Sequence, residues 1–206
     1  MALGNMAKDG GNLLISPDER NTIIDNHPGA RHLIKKLIGA LEFIRGVEKY
    51  CLWITPNQYN EAMSFNLIKE KLNRVKEYRI NSKAKSTQNY ADRPFRFIQI
   101  SYRNSNSILI PGVSSERREY IPMGFLDESY VVVAPNFVIY DSEPWVFSLI
   151  SSKMHMLWVS SVAGRLKSDY RYSSTLCYNT FPFPTISKQR KEELTQCTLK
   201  IIDERL

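Results

Sequence analysis

Cysteine is scarce in this chain: Cys51, Cys177 and Cys197 stand far apart, with no C-x-x-C. That excludes a disulfide framework and fits packing thiols in a reducing cytoplasm. The three histidines, His27, His32 and His155, form no H-x-x-x-H or Cys/His cluster, so no zinc site is expected. No apolar run approaches the roughly 18–20 residues of a membrane span. Met1 to Asp9 lack the charged start, apolar run and cleavage site of a secretory signal. Missing too are G-x-G-x-x-G, G-x-x-x-x-G-K-[ST] and G-x-S-x-G, and with them any legible phosphate cradle or nucleophile elbow. Gly10-Gly11 reads as a turn. Pro17-Asp18-Glu19 resembles a nuclease fragment, but no lysine follows at the needed spacing and a helix start explains it better. His155, on an apolar segment, reads as a core histidine. The chain alone is expected to have no catalytic residues, no metal and no cofactor.

What is present is enough apolar sequence for a real core, 43% of 206 residues. The expectation is one domain over 9–186, a tail at 1–8 and a C-terminal helix at 187–206. Charge is unevenly placed. Of the net +7, all falls between Lys69 and Arg103, where ten basic residues meet only Glu70, Glu77 and Asp92. The rest of the chain balances. A localised surface facing a polyanion would explain this, and so would a solvated helix face followed by a basic loop.

Ser16-Pro17-Asp18-Glu19 has the form of a capping box with proline at the first helical position, predicting a helix to about Asn26. A second helix is expected after Pro28, carrying Leu33, Ile34, Leu37 and Ile38 and stopping at Gly39. Two strands follow between Leu41 and Ile54. A long helix over about 58–80 presents Met63, Leu67, Leu72, Val75 and Tyr78, and runs into a polar loop at Asn81 to Asp92. From Phe95 the period changes to two, with strands at 95–100, 108–110, 130–133 and 137–140. A buried helix is expected over 143–162, a strand over 165–172, and a helix from Ser187 to about Arg205. Without a βαβ rhythm the class is α+β, with a mixed or mainly antiparallel sheet, flanking helices and a C-terminal helix.

Two segments carry candidate contacts. In Gly164 to Ser173, an extended chain would place Arg165, Lys167, Asp169 and Arg171 on one face. Such a row mixes donors with one acceptor, suited to base edges: Lys and Arg donate to guanine and Asp accepts from cytosine. Cross-strand ion pairing would explain the same row. In Val113 to Phe125, Ser114, Ser115, Arg117 and Arg118 could grip phosphate, unless Glu116 and Glu119 pair with the arginines. Lys83 and Lys85 in the polar loop are further candidates for phosphate anchoring.

SSERREYIPMGF (114–125), SSKMHMLWVSSVAGRLKSDYRYS (151–173) and CYNTFPFP (177–184) together resemble the target recognition region of MmeI-like restriction–modification enzymes, the type IIL or IIG proteins. DGGNLL (9–14), KKLIGALEFIRG (35–46), YCLWI (50–54) and SKAKST (82–87) are similar as well, so the likeness covers about residues 9–190. It implies sequence-specific recognition of double-stranded DNA within an N6-adenine methyltransferase, with base reading by Arg165, Lys167, Asp169 and Arg171. Phosphate contacts would fall to Lys83, Lys85, Ser114, Ser115, Arg117 and Arg118. It also implies an adjoining methyltransferase domain of the same parent chain that binds S-adenosylmethionine. The family's Asn-Pro-Pro-Tyr/Phe motif and glycine-rich cofactor loop are missing from these residues, and Asn179-Thr180-Phe181-Pro182 does not replace them. The expectation is a fragment opening after the methyltransferase core, whose parent carries a fused nuclease or is a nuclease-free defence methyltransferase. A basic protein-interaction module is the remaining alternative.

Overall fold

The computed structural model describes residues 1–204; the last two, where the C-terminal helix was expected to end, lie outside the described residues. The chain forms two compact units. One comprises 4–102 with 129–133, and the other 1–3, 103–128 and 134–204. The stretch 9–186 expected as one domain has residues in both units. The tail expected at 1–8 is structured: Ala2–Leu3 pairs with Phe137–Tyr140, while Asn5, 1% exposed, bonds Val132. Among the described residues no helix is long and apolar enough to cross a membrane.

In the unit of 4–102, helix Pro17–Asn26 begins with the expected capping box, Ser16 and Glu19 bonding each other's backbone amides. Beyond it the chain departs from the expected second helix. A 3-10 helix, Pro28–Leu33, gives way to strand Ile34–Ile38, and Ala40–Arg45 is helical where a strand was expected. The spacing of Leu33, Ile34, Leu37 and Ile38 suits a helix, but strands are available on both sides. Ile34–Ile38 pairs antiparallel with Tyr50–Leu52 and parallel with Tyr130–Val132, and Leu14–Ile15 completes the sheet. Pairing on both edges outweighs local periodicity. The long helix is two, Tyr59–Ser64 and Asn66–Ile80, separated by an extended Phe65. Residues 95–100 are not a strand; Phe95 and Phe97 are buried as single anchors in an irregular segment.

In the other unit, Ser107–Ile110 lies between Phe137–Tyr140 and Gly124–Leu126 in an antiparallel sheet. The expected helix at 143–162 is Pro144–Ile150 and Lys153–Val162, the second capped by Ser152. The C-terminal helix Lys188–Asp203 packs on the first through Thr198, whose hydroxyl donates to Pro144 O at 2.7 Å. It belongs to this unit. The class is α+β, and among the described residues the named strands pair antiparallel except Ile34–Ile38 with Tyr130–Val132.

Candidate nucleic-acid interface

The segment expected as one strand over 165–172 is a hairpin. Gly164–Leu166 pairs with Asp169–Arg171, joined by a two-residue turn, Lys167-Ser168. Such tight turns need a positive φ, and Lys167 supplies it at 57°, a conformation that costs an L-residue other than glycine roughly 1–2 kcal/mol. Directly paired residues share a face. Gly164, Leu166, Asp169 and Arg171 therefore lie on one face and Arg165 with Tyr170 on the other. The single row of Arg165, Lys167, Asp169 and Arg171 does not form: the turn breaks it, and Arg165 leaves it. Arg165 stacks 4.0 Å over the Tyr170 ring, donates to Ser168 O at 2.9 Å and stands 3.9 Å from Glu116.

The hairpin is anchored at its root and exposed at its tip. Its return strand pairs with Val113–Ser114, and Tyr172 N donates to Gly112 O at 3.0 Å. Gly112 cannot carry a side chain there, since a Cβ would lie 2.3 Å from Pro135 O. Below, the Tyr172 hydroxyl meets His155 Nε2 at 3.0 Å, and both residues are buried. Burial pushes the His155 pKa down to about 4, keeping the ring neutral, so it is the core histidine expected from the sequence. By contrast Leu166, Lys167, Ser168 and Arg171 are exposed.

Pairing with Val113–Ser114 brings the second candidate segment alongside. Ser114 is only 4% exposed, so its hydroxyl is not presented to a phosphate; as the partner of Tyr170 in the sheet it turns inward. Ser115 shapes the turn, its carbonyl accepting from Arg118 N at 3.2 Å and its hydroxyl from Arg117 N at 3.4 Å. Glu116 goes to Arg165. Arg117 and Arg118 are exposed and, among the described residues, form no ion pair.

Lys83 and Lys85 belong to the other unit and are exposed around the start of a short helix, Lys85–Gln88. The charge surplus around them is smaller at the surface than in the sequence. Lys71 pairs with Glu19 and Arg103 with Asp141, acids from outside the segment, whereas Arg74–Glu70 and Arg93–Asp92 are pairs that the net count already includes. Arg79 is wholly buried. Its guanidinium donates to five backbone carbonyls, those of Ala7, Lys8, Tyr90, Arg93 and Arg96, at 2.7–3.1 Å. Five N–H groups thus meet five acceptors. Burial pulls the Arg79 pKa down while Asp9 opposes the shift. Sequence reading counted this arginine as surface charge, although it continues the buried stripe of Ile68, Leu72 and Val75 at helical spacing. The Lys167-Ser168 turn was likewise overlooked; a polar pair between two β-prone runs was its signal.

The chain is thus α+β and raises a short exposed hairpin from a buried aromatic root. This chain belongs to the family described as MmeI, target recognition domain, which matches residues 1–185. It is 43% identical over 200 residues to DNA methyltransferase A of Bacillus subtilis (strain 168), a match spanning 97% of this chain and 23% of that protein. It is also similar to the type IIL restriction-modification enzyme MmeI, solved in complex with DNA. That match has a TM-score of 0.92 and 35% identity, covering 99% of this chain and 27% of the MmeI chain. The chain thus spans about a quarter of the length of each relative.

Proposed function

We propose that this chain reads a duplex DNA target on behalf of a site-specific N6-adenine methyltransferase of which it is one domain. The observation that carries the reading is the hairpin Gly164–Arg171, fixed at its root and exposed at Lys167 and Ser168. A major groove about 12 Å wide admits a two-stranded ribbon. Lys167 at the tip would donate to guanine, Asp169 would accept from cytosine N4, and Arg171 would extend the reading along the ribbon. Arg165, held on Tyr170 and Ser168, supports the ribbon instead. Arg117, Arg118, Ser115, Lys83 and Lys85 would hold phosphates, which fix position but carry no sequence information.

The adenine would be flipped and methylated by an adjoining methyltransferase domain, which would also hold S-adenosylmethionine, in the bacterial cytoplasm. This chain would not itself hold that cofactor, since it carries neither a glycine-rich cofactor loop nor the Asn-Pro-Pro-Tyr/Phe motif. At Gly10 the Tyr78 ring fills the space a Cβ would take, while a Cβ on Gly11 would have nothing within 4 Å. The type IIL relative supports a parent with a fused endonuclease; the B. subtilis relative supports a methyltransferase as such.

Binding of the chain to duplex DNA across a salt series tests the reading. Each neutralised phosphate contributes about −0.9 to the slope of log K against log salt. Lys83→Ala with Lys85→Ala should make the slope shallower by up to about 1.8 and leave preference among duplexes unchanged. A flat slope for the unaltered chain, with binding to an acidic protein instead, would move it to the class of protein-interaction modules.

A further inference from the structure

Outside Lys69–Arg103 the sequence is neutral, yet folding gathers cations that lie apart in it. Arg20 comes from helix Pro17–Asn26, Arg31 from the 3-10 helix Pro28–Leu33, and Lys35 and Lys36 from strand Ile34–Ile38. Together with Tyr50 they line a concavity of about 270 Å³ in the unit of 4–102. Sheet register defines its floor. Lys36 pairs with Tyr50 on one neighbouring strand and with Tyr130 on the other, so the three side chains form one row on one face. Lys36 Nζ stands 5.0 Å over the Tyr130 ring, and the Arg20 guanidinium 4.8 Å over the Tyr50 ring. Lys35, one residue along and so on the opposite face, sends its ammonium 3.0 Å to the Tyr102 hydroxyl. Arg31, Lys36 and Arg20, whose Nη1 also donates to Asn21 Oδ1 at 3.0 Å, remain.

Three of the acids are engaged elsewhere: Glu19 pairs with Lys71, Glu42 with Lys49 and Glu61 with His32. Glu48 accepts from the Tyr50 hydroxyl at 3.0 Å and keeps one carboxylate at the edge of the concavity. Among the described residues Arg20, Arg31 and Lys36 form no ion pair. Like charges brought together around a concavity repel unless an anion sits among them. Two guanidinium forks and one ammonium suit the non-bridging oxygens of a phosphate. A cation covers one face of each of the Tyr50 and Tyr130 rings, so those faces are not open to stack a base. Arg31 and Lys36 are exposed at the rim, which suits a polymer backbone passing across rather than an enclosed nucleotide.

We propose that Arg20, Arg31 and Lys36 form a phosphate seat for the backbone of duplex DNA, separate from the lysines at 83 and 85. The assignment to duplex DNA rests on the proposed function. The test is the salt dependence of duplex binding by the chain and by its Arg31→Ala/Lys36→Ala variant, with inorganic pyrophosphate as a second probe followed by amide shifts over 20–36. The slope is expected to become shallower by about 1.8, with the preference among duplexes and the melting temperature unchanged. Lys36→Arg alone should keep the original slope. If the unaltered chain shows a steep slope and the double variant matches it, the seat is wrong while the proposed function stands. A pyrophosphate site dependent on Arg31 and Lys36, with an unchanged duplex slope, would make it a free-phosphate site and overturn the DNA assignment. If the unaltered chain does not bind duplex DNA, the proposed function fails and the assignment falls with it.

Discussion

Along the helix Asn66–Ile80 Arg79 turns inward and Lys71 and Arg74 find carboxylates, whereas at the tip of the hairpin Gly164–Arg171 Lys167 stands in solvent. The first region holds most of the charge surplus and withholds part of it: Arg79 saturates five carbonyls, and Lys71 pairs with Glu19 from outside the segment. The second has little surplus, yet leaves Lys167 and Arg171 uncommitted. Counting charge along a sequence therefore locates basic residues but not basic surface. Burial and hydrogen bonding decide which cations remain for a partner.

The contrast breaks most visibly at Arg79. Arg79→Met would strand five carbonyls in the interior, each worth about 1–3 kcal/mol when unmet, though not additively. A loss of roughly 4 kcal/mol or more in urea unfolding is expected. Hydrogen exchange should show the amides of 82–96 losing protection first, because three of the bonds tie the chain at 90, 93 and 96 to the helix. Arg79→Lys should restore little, since an ammonium lacks the planar fork. A mild effect would mean that the loop carrying Lys83 and Lys85 is organised by something else.

The root of the hairpin answers to pH instead. His155 folds neutral, its pKa pushed down to about 4 by burial beside Tyr172. Below about pH 6.5 the unfolded histidine takes up a proton that the folded one refuses. Stability should be full above that value and fall as pH drops toward about 4, by about 3 kcal/mol at most. Below that both states are protonated and the loss stops. Melting temperature measured from pH 4 to 7.5 checks this, and His155→Phe should flatten the dependence across the window.

What was legible in the sequence follows the range of the interactions. The cap at Ser16 and Glu19 is complete within four residues, and it is present as expected. The fold class and the strands at 107–110, 130–132 and 137–140 were likewise readable. Strand Ile34–Ile38 was not, because its apolar spacing fits a helix equally well and only partners at 50–52 and 130–132 settle it. At the site, reading brought Gly164–Ser173 and Val113–Arg118 forward as separate segments. Their pairing through Tyr170 and Ser114 is long-range and had no local signal. Ser114, read as a phosphate contact, is buried by that same pairing.

Specificity should respond at the tip. Lys167→Glu combined with Asp169→Arg exchanges donor and acceptor, and in a methylation assay of the parent enzyme should turn a preferred G·C pair into C·G. Either change alone should weaken cognate binding by roughly 1–3 kcal/mol, since one polar group then faces the wrong edge. The structure alters the reason for expecting this: the two residues flank Ser168 in a turn rather than standing on one straight strand face. Unchanged specificity in the double variant would reduce the exposed tip to ordinary surface and remove the contrast with the basic segment.

The smallest expected effect lies within the hairpin itself, at Arg165. Its guanidinium covers Tyr170 at 4.0 Å and reaches Ser168 O, with Glu116 at 3.9 Å. It stands on the face opposite Asp169 and Arg171. Partly exposed stacking of this kind contributes about 0.5–1 kcal/mol, and the Glu116 pair, open to solvent on both sides, adds little. Arg165→Ala should therefore lower stability by about 1 kcal/mol and slightly loosen the tip, weakening all DNA sequences alike. Comparing all four base pairs at each target position separates support from reading: a support residue shifts every affinity together, a reader changes one position. If Arg165→Ala relaxes a single position, all three arginine and lysine side chains of the hairpin read bases, and the ribbon presents both of its faces to the groove.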